Sequence, residues 1–252
     1  MQTLKEFFGP LGNTFPFFGE KGTTAETILV TDALGVIGHR VAYKLLAAKY
    51  PKVRVGVSDV HQATDLETQG AQVVLFDFDR PHTYKDALHG VSHVYFAIPD
   101  HENWQDNFET FLNVMREEKI QHAVKLSICH SFVSKHDPFS KVPLVKVQRE
   151  TDDKLVQFTK DYTIIMASHF MSNPTVYQED LIRRERRFIG ASGFKGVAYV
   201  SPNDVADVAV RALLAPKGFR KRTLHLTGDK VITDQEVADV LRCVHWLHTY
   251  TV

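Results

Sequence analysis

Residues 27–38 read Thr-Ile-Leu-Val-Thr-Asp-Ala-Leu-Gly-Val-Ile-Gly, and this stretch decides the fold. Ile28, Leu29 and Val30 make an uninterrupted apolar run, the pattern of a strand buried on both faces. Gly35 and Gly38 then let the chain turn tightly into a helix whose apolar face is carried by Val41 and Leu45. Working outward, β-rich runs at 53–57, 72–76, 92–98, 122–128 and 162–167 alternate with amphipathic helical stretches. In the clearest of these, Phe108, Phe111, Leu112 and Met115 fall at i, i+3, i+4 and i+7, one stripe to lay against a sheet. Such alternation predicts an α/β class, a parallel sheet with helices on both faces. Beyond it the pattern predicts a helix over 203–214 capped by Asn203, a strand over 223–227, a helix over 234–243 opened by Asp234, and a last strand over 246–251. These form a small, shortened C-terminal lobe.

A strand, a glycine turn and a helix at the first position of a parallel sheet is the phosphate-binding unit of a Rossmann fold. The first glycine of that turn permits the bend, the second lets backbone approach a diphosphate, and the third lets helix and strand pack closely. Gly35 and Gly38 hold the later two places, and Asp32 holds the first. Aspartate tolerates the left-handed backbone, so the fold survives. Its carboxylate would repel a diphosphate and compete for the same amides, which leaves two readings: retained dinucleotide binding, or a nucleotide-type fold that has lost it. If a dinucleotide binds, Asp32, Gly35, Val36, Ile37 and Gly38 surround its phosphates. Ser58 and Asp59 lie where the ribose is read, and an acid there favours NAD over NADP. Asp59 could equally cap the next helix. Asp77 could accept from the adenine amine or cap the helix beginning near His82.

Composition narrows the function. The chain has 252 residues, 44% hydrophobic, enough for a substantial core. Lysine plus arginine and aspartate plus glutamate both total 30, so no net field draws nucleic acid or an anionic membrane. Cys129 and Cys243 are too few and too far apart for a disulfide framework, which points to a reducing, intracellular setting. No apolar run reaches the roughly 20 residues of a membrane span, and the start does not read as a signal or transit peptide. The 13 histidines bring no three ligands to metal spacing, so no metal is expected. Residues 1–26 stand apart from the domain at 27–252. They mix Gly9, Pro10, Gly12, Pro16, Gly19 and Gly22 with Phe7, Phe8, Phe15, Phe17 and Phe18, a loop-like extension too apolar to stay solvated and expected to dock on a protein partner or its own domain.

The order LVTDALGVIGHRV, GAQVVLFDFDRPHTYKDALHGVSHVYFAIP, DYTIIMASHFMSN, GVAYVSPNDVADVAVRALLAP and LHLTGDKVITDQEVADVL, over about residues 27–252, resembles the NmrA-like branch of the short-chain dehydrogenase/reductases and the related quinone-reductase-like enzymes. The resemblance implies a Rossmann core with a small lobe closing over NAD or NADP. It implies one of two functions, reduction of quinones or phenolic compounds, or NAD(P) binding without turnover in a regulator of a protein partner. It also places Ala97, Ile98 and Pro99, with His101, on the nicotinamide side.

This chain departs from that pattern. Short-chain reductases with a tyrosine acid carry Tyr-x-x-x-Lys on the helix after the fifth strand, and the helix at about 143–160 contains no tyrosine. Relatives place Lys or His there with Glu four residues later. Counting back from Tyr162 aligns Gln148 and Asp152, and a loop one residue shorter would align Lys146 and Glu150. An arginine frequent after the sixth strand is Met166, and the chain ends early relative to the family. The catalytic candidates are Ser127, His130 and Gln148, with Cys129 beside them, and no acid is identifiable as an orienter for His130. The run Arg183, Arg184, Arg186, Arg187 reads as a solvated face. These departures favour a catalytically degenerate regulatory or structural partner whose NAD(P) binding is weak or lost. The alternative is an NAD(P)H-dependent reductase of a quinone or small carbonyl compound, since hydride transfer rests chiefly on orientation.

Overall fold

A computed structural model describes residues 25–245 apart from 132, 135, 191, 193 and 194. Both the aromatic extension, up to residue 24, and the strand expected over 246–251 lie outside the described residues. Strand β1 (Ile28–Val30) leads into α1 (Gly38–Ala47), β2 (Val53–Val57), α2 (Thr64–Thr68), β3 (Gln72–Leu75), α3 (Tyr84–Leu88), β4 (His93–Ala97) and α4 (Trp104–Glu117). The second half runs β5 (His122–Ile128), α5 (Pro143–Phe158), β6 (Tyr162–Ala167), α6 (Asn173–Tyr177), β7 (Gly196–Val197), α7 (Pro202–Leu214), β8 (Arg222–Leu226), β9 (Ile232–Thr233) and α8 (Asp234–His245).

Seven strands pair in the order β3-β2-β1-β4-β5-β6-β8, all parallel. The chain winds one way through β1, β2 and β3, then returns to place β4 on the other flank of β1. That reversal makes the β1/β4 junction the switch point where a Rossmann sheet opens a crevice. Crossovers cover both faces, so the central strands are largely apolar: Ile28, Leu29 and Val30 are fully buried, as are Val94, Tyr95 and Phe96.

Two cores result. On one face Val41, Ala42 and Leu45 of α1 meet Val205, Ala209 and Leu213 of α7 over the sheet. On the other, the α4 stripe is buried at Phe108, Phe111, Leu112 and Met115, where it packs with α3 and α5. Phe111 is the hub, its ring 5.2 Å from Phe96, 5.5 Å from Tyr84 and 5.8 Å from Phe76. Each such burial contributes about 2 kcal/mol from area alone. A satellite cluster of Ile182, Phe188, Ala238 and Leu241, with the short antiparallel β7/β9 pair, forms the small C-terminal lobe. One cap differs from expectation. Ser201, not Asn203, caps α7, because its hydroxyl accepts from the Asn203 amide at 3.2 Å while Pro202 and Asn203 are already in the first turn.

Candidate functional site

The C-terminal ends of β1 to β4 surround a cleft of about 300 Å³. Its floor and walls are Thr31, Asp32, Ala33 and Leu34 after β1, Gly56 to Ser58 on β2, Phe76 to Asp79 after β3, and Ala97 to Pro99 with His101 after β4. Asp32, Ser58, Asp77, Ala97, Ile98 and Pro99 from the sequence reading therefore share one space. Gly35 to Gly38 form the turn into α1 at its edge.

The turn itself is tight. A Cβ on Gly38 would fall on the Asp32 carbonyl oxygen, so only glycine lets α1 start this close to β1. Asp32 adopts φ 52°, the left-handed backbone that favours glycine and that aspartate tolerates better than most residues. A Cβ on Gly35 would fall on the Asp32 carboxylate, which therefore occupies the approach the second glycine leaves open. That carboxylate faces the cleft, yet the surrounding walls crowd it, and this burial pushes its pKa up to about 6. Ile37, preceding α1, offers no side-chain cap to the helix's first turn, which leaves amide donors for an anion. The site fits a dinucleotide diphosphate at its helix end and its glycines, and Asp32 is the group that has to yield charge or position.

Two of the ribose and adenine candidates are otherwise engaged. Asp59 accepts from the His61 amide at 3.0 Å and from the Gln62 side chain at 3.1 Å, capping the short helical turn at Val60–Ala63, and it does not line the cleft. The capping alternative is the one the geometry adopts. Asp77 caps no helix, contrary to one of its two expected roles. It accepts from the Asp79 amide at 2.9 Å and from Arg80 at 3.1 Å, closing the turn that carries Asp79 to the rim. There Asp79 meets His101 at 2.6 Å, a bridge across the mouth between the β3 and β4 loops.

Two of the three catalytic candidates, Ser127 and His130, converge on one carboxylate, and the third, Gln148, joins them through Lys125. The Ser127 hydroxyl donates to Asp152 Oδ2 at 2.6 Å, and His130 Nε2 lies 2.8 Å from the same oxygen. Asp152 is thus the orienter that sequence reasoning failed to find for His130. The other oxygen accepts from Lys125 Nζ at 2.7 Å, and Lys125 also donates to Gln148 Oε1 at 2.8 Å. Gln148 passes its amide to the Ile98 carbonyl at 2.9 Å, tying the network to the cleft wall. All five residues are buried. Burial raises the Asp152 pKa, but Lys125's charge and the hydrogen bonds from His130, Lys125 and Ser127 outweigh it and hold the carboxyl below its usual range. Burial lowers the Lys125 pKa against Asp152's pull. Lys125 was missed, although the signal was there: alternation on β5 puts it with Ala123 and Ser127 on the α4/α5 face, and a lysine buried there needs a carboxylate. Lys146 and Glu150, the rival alignment, form a 4.0 Å pair near the surface.

Other candidates recede. Cys129 is unpaired, its thiol directed to the Met166 carbonyl at 3.2 Å, and burial raises its pKa, away from nucleophilic use. Arg183, Arg184 and Arg187 pair on the surface with Glu179, Asp180 and Glu185. Among the described residues no cluster could hold a metal ion, and no helix is long and apolar enough to cross a membrane.

Residues 33–216 match the family described as NAD(P)H-binding. The chain is 27% identical over 214 residues to the NAD(P)H azoreductase of Xenophilus azovorans, covering 85% of this chain and 72% of that one. It is 30% identical over 209 residues to a (4-alkanoyl-5-oxo-2,5-dihydrofuran-3-yl)methyl phosphate reductase of Streptomyces griseus, covering 83% and 70%. Photosystem II assembly factor Ycf39 of Trieres chinensis is 23% identical over 220 residues, covering 85% and 67%. The NADPH-dependent quinone oxidoreductase QOR2 of Escherichia coli, solved with NADPH, superposes with a TM-score of 0.75 over 90% of this chain and 78% of its own at 21% identity, a likeness of fold.

Proposed function

Since this chain belongs to the family described as NAD(P)H-binding, we propose that it is an NAD(P)H-dependent reductase whose acceptor is a quinone or a small carbonyl compound. The observation that carries the reading is the cleft itself: it opens at the β1/β4 switch point, beside an uncapped helix N-terminus, Gly38, whose place against the Asp32 carbonyl no side chain could take, and Gly35, whose open face is met by the Asp32 carboxylate. The named reductases among the relatives weigh the same way, and against the catalytically degenerate partner that the departures from the family pattern suggested.

The bound nicotinamide would supply a hydride; the protein's part is to orient it and to manage a proton. In this reading Ile98 and Pro99 form the nicotinamide wall, and Gln148 fixes that wall through the Ile98 carbonyl. Asp152 holds His130 in one orientation, with Ser127 and Lys125 satisfying the rest of the carboxylate. His130 is then the proton donor to a reduced acceptor. Among the described residues no lysine or arginine lines the cleft, whereas Asp32, Asp77 and Asp79 do, which supports NAD over NADP. A second reading, a binding protein that assists assembly of other proteins, draws on Asp32 above Gly35 and on the assembly-factor relative.

Steady-state oxidation of NADH by a soluble naphthoquinone and by small aldehydes tests the proposal. Acceptor-dependent oxidation is expected. NADH that binds, measured by nicotinamide fluorescence, yet passes no hydride to either acceptor class would transfer the case to the binding protein.

A further inference from the structure

Asp32 stands at the one point where a bound diphosphate and a protein anion would compete. Its carboxylate lies over Gly35. It takes no hydrogen bond from a described residue and forms no ion pair with a described lysine, arginine or histidine. The nearby charged and titratable groups do not relieve it. Tyr95 of β4 lies below, its phenol pushed up by burial and by the Asp32 charge. Asp77 and Asp79 stand across the cleft, and His101 is bound to Asp79. Asp59 is committed to its cap. On α1, His39 pairs with Asp65, and Arg40 donates to the Val36 carbonyl.

We propose that Asp32 sets the affinity for the dinucleotide by taking up a proton when the diphosphate seats over Gly35. The inference rests on the dinucleotide reading of the cleft and deepens it. With no cation between them, a carboxylate and a diphosphate sharing these amides repel each other. A neutral carboxyl instead offers an O–H to a phosphate oxygen and removes the repulsion. Burial in the cleft walls already pushes the Asp32 pKa up to about 6, and the added phosphate charge raises it further. Affinity therefore falls as pH rises above about 6, by up to about tenfold per unit while one proton is taken up.

The test is titration with NADH and NADPH from pH 6 to pH 8, by nicotinamide fluorescence and by calorimetry in two buffers of different ionisation enthalpy. The full chain is compared with Asp32→Asn and Asp32→Gly, with thermal unfolding as the check on folding. Expected is a Kd that weakens with pH in the native chain, a buffer-dependent heat reporting proton uptake, and a flat, tighter Kd in both variants at pH 8. A native Kd that is flat with pH, or a slope that survives in Asp32→Asn, overturns the proposal while leaving the cofactor reading intact. Absence of binding in all three chains, each shown to be folded, overturns both.

Discussion

Lys125 Nζ lies 2.7 Å from Asp152 Oδ1, and both side chains are shut away from water. Removing one member of such a pair strands the other's charge in a medium that cannot solvate it, whereas removing both leaves no buried charge, only a packing deficit and the polar groups of Ser127, His130 and Gln148 that lose a partner. Lys125→Met and Asp152→Leu are each expected to cost about 3–5 kcal/mol, and the double variant less than either single change. Urea unfolding of the four proteins checks this. Additive losses in the double variant would mean that the two charges do not depend on each other.

A histidine pair at the opposite end of the sheet makes stability depend on pH. The Thr163 hydroxyl donates to the Phe219 carbonyl at 2.9 Å, so it accepts from His122 Nε2, also at 2.9 Å. The His122 Nδ1 is left buried and unpartnered, with the His93 ring 6.2 Å away. Burial first, then the His93 and Arg220 charges, lower its pKa from 6.5 to about 4. The unfolded chain then holds a proton that the folded one refuses. Stability is complete above pH 6.5 and is lost as pH falls toward 4, by about 3 kcal/mol from this residue. His122→Gln should flatten the fall in Tm between pH 6.5 and 4 relative to the native protein, and equal slopes would remove His122 as the cause.

Much of this was legible before any coordinates. Parallel strands buried on both faces are predominantly apolar, so Ile28 to Val30 and the later runs announced themselves, and the Phe108 to Met115 stripe fixed the face of α4. The site was less legible because its key relations join distant residues. Ser127, His130 and Gln148 were named, but Asp152 reaches His130 across 22 residues and Lys125 across 27, and no local pattern records such a meeting. Asp59 and Asp77 carried two readings each because a carboxylate after a strand serves a turn as readily as a ligand.

The acidity of the cleft bears on the choice of nucleotide. Ser58 lines it where β2 ends, and among the described residues no lysine or arginine joins Asp32, Asp77 and Asp79 in its lining, although Arg80 pairs with Asp77 from outside and His101 with Asp79 at the rim. A 2′-phosphate adds negative charge to that field, so NADH is expected to bind about tenfold more tightly than NADPH. Ser58→Arg supplies the planar donor that accommodates such a phosphate and should reverse the order. Fluorescence titration with both nucleotides checks the pair. Equal native affinities, or no change in Ser58→Arg, would place the 2′ position away from Ser58.

A proton donated by His130 would separate the two acceptor classes. Hydride addition to a carbonyl produces an alkoxide, a base so strong that the proton must arrive as the charge develops. Addition to a quinone produces a phenolate, an anion of the kind a tyrosine forms with a pKa near 10, stable enough to be protonated later by water. If the Asp152-oriented imidazole is the donor, His130→Gln should lower kcat for an aldehyde by about 10²–10⁴ and leave kcat for a naphthoquinone within a few fold. Asp152→Asn, which keeps the shape but weakens the hold on His130, should move the same way and shift the pH profile of aldehyde reduction. Equal losses with both acceptors would make His130 a structural support, and an aldehyde rate untouched by either change would put the proton source at another group.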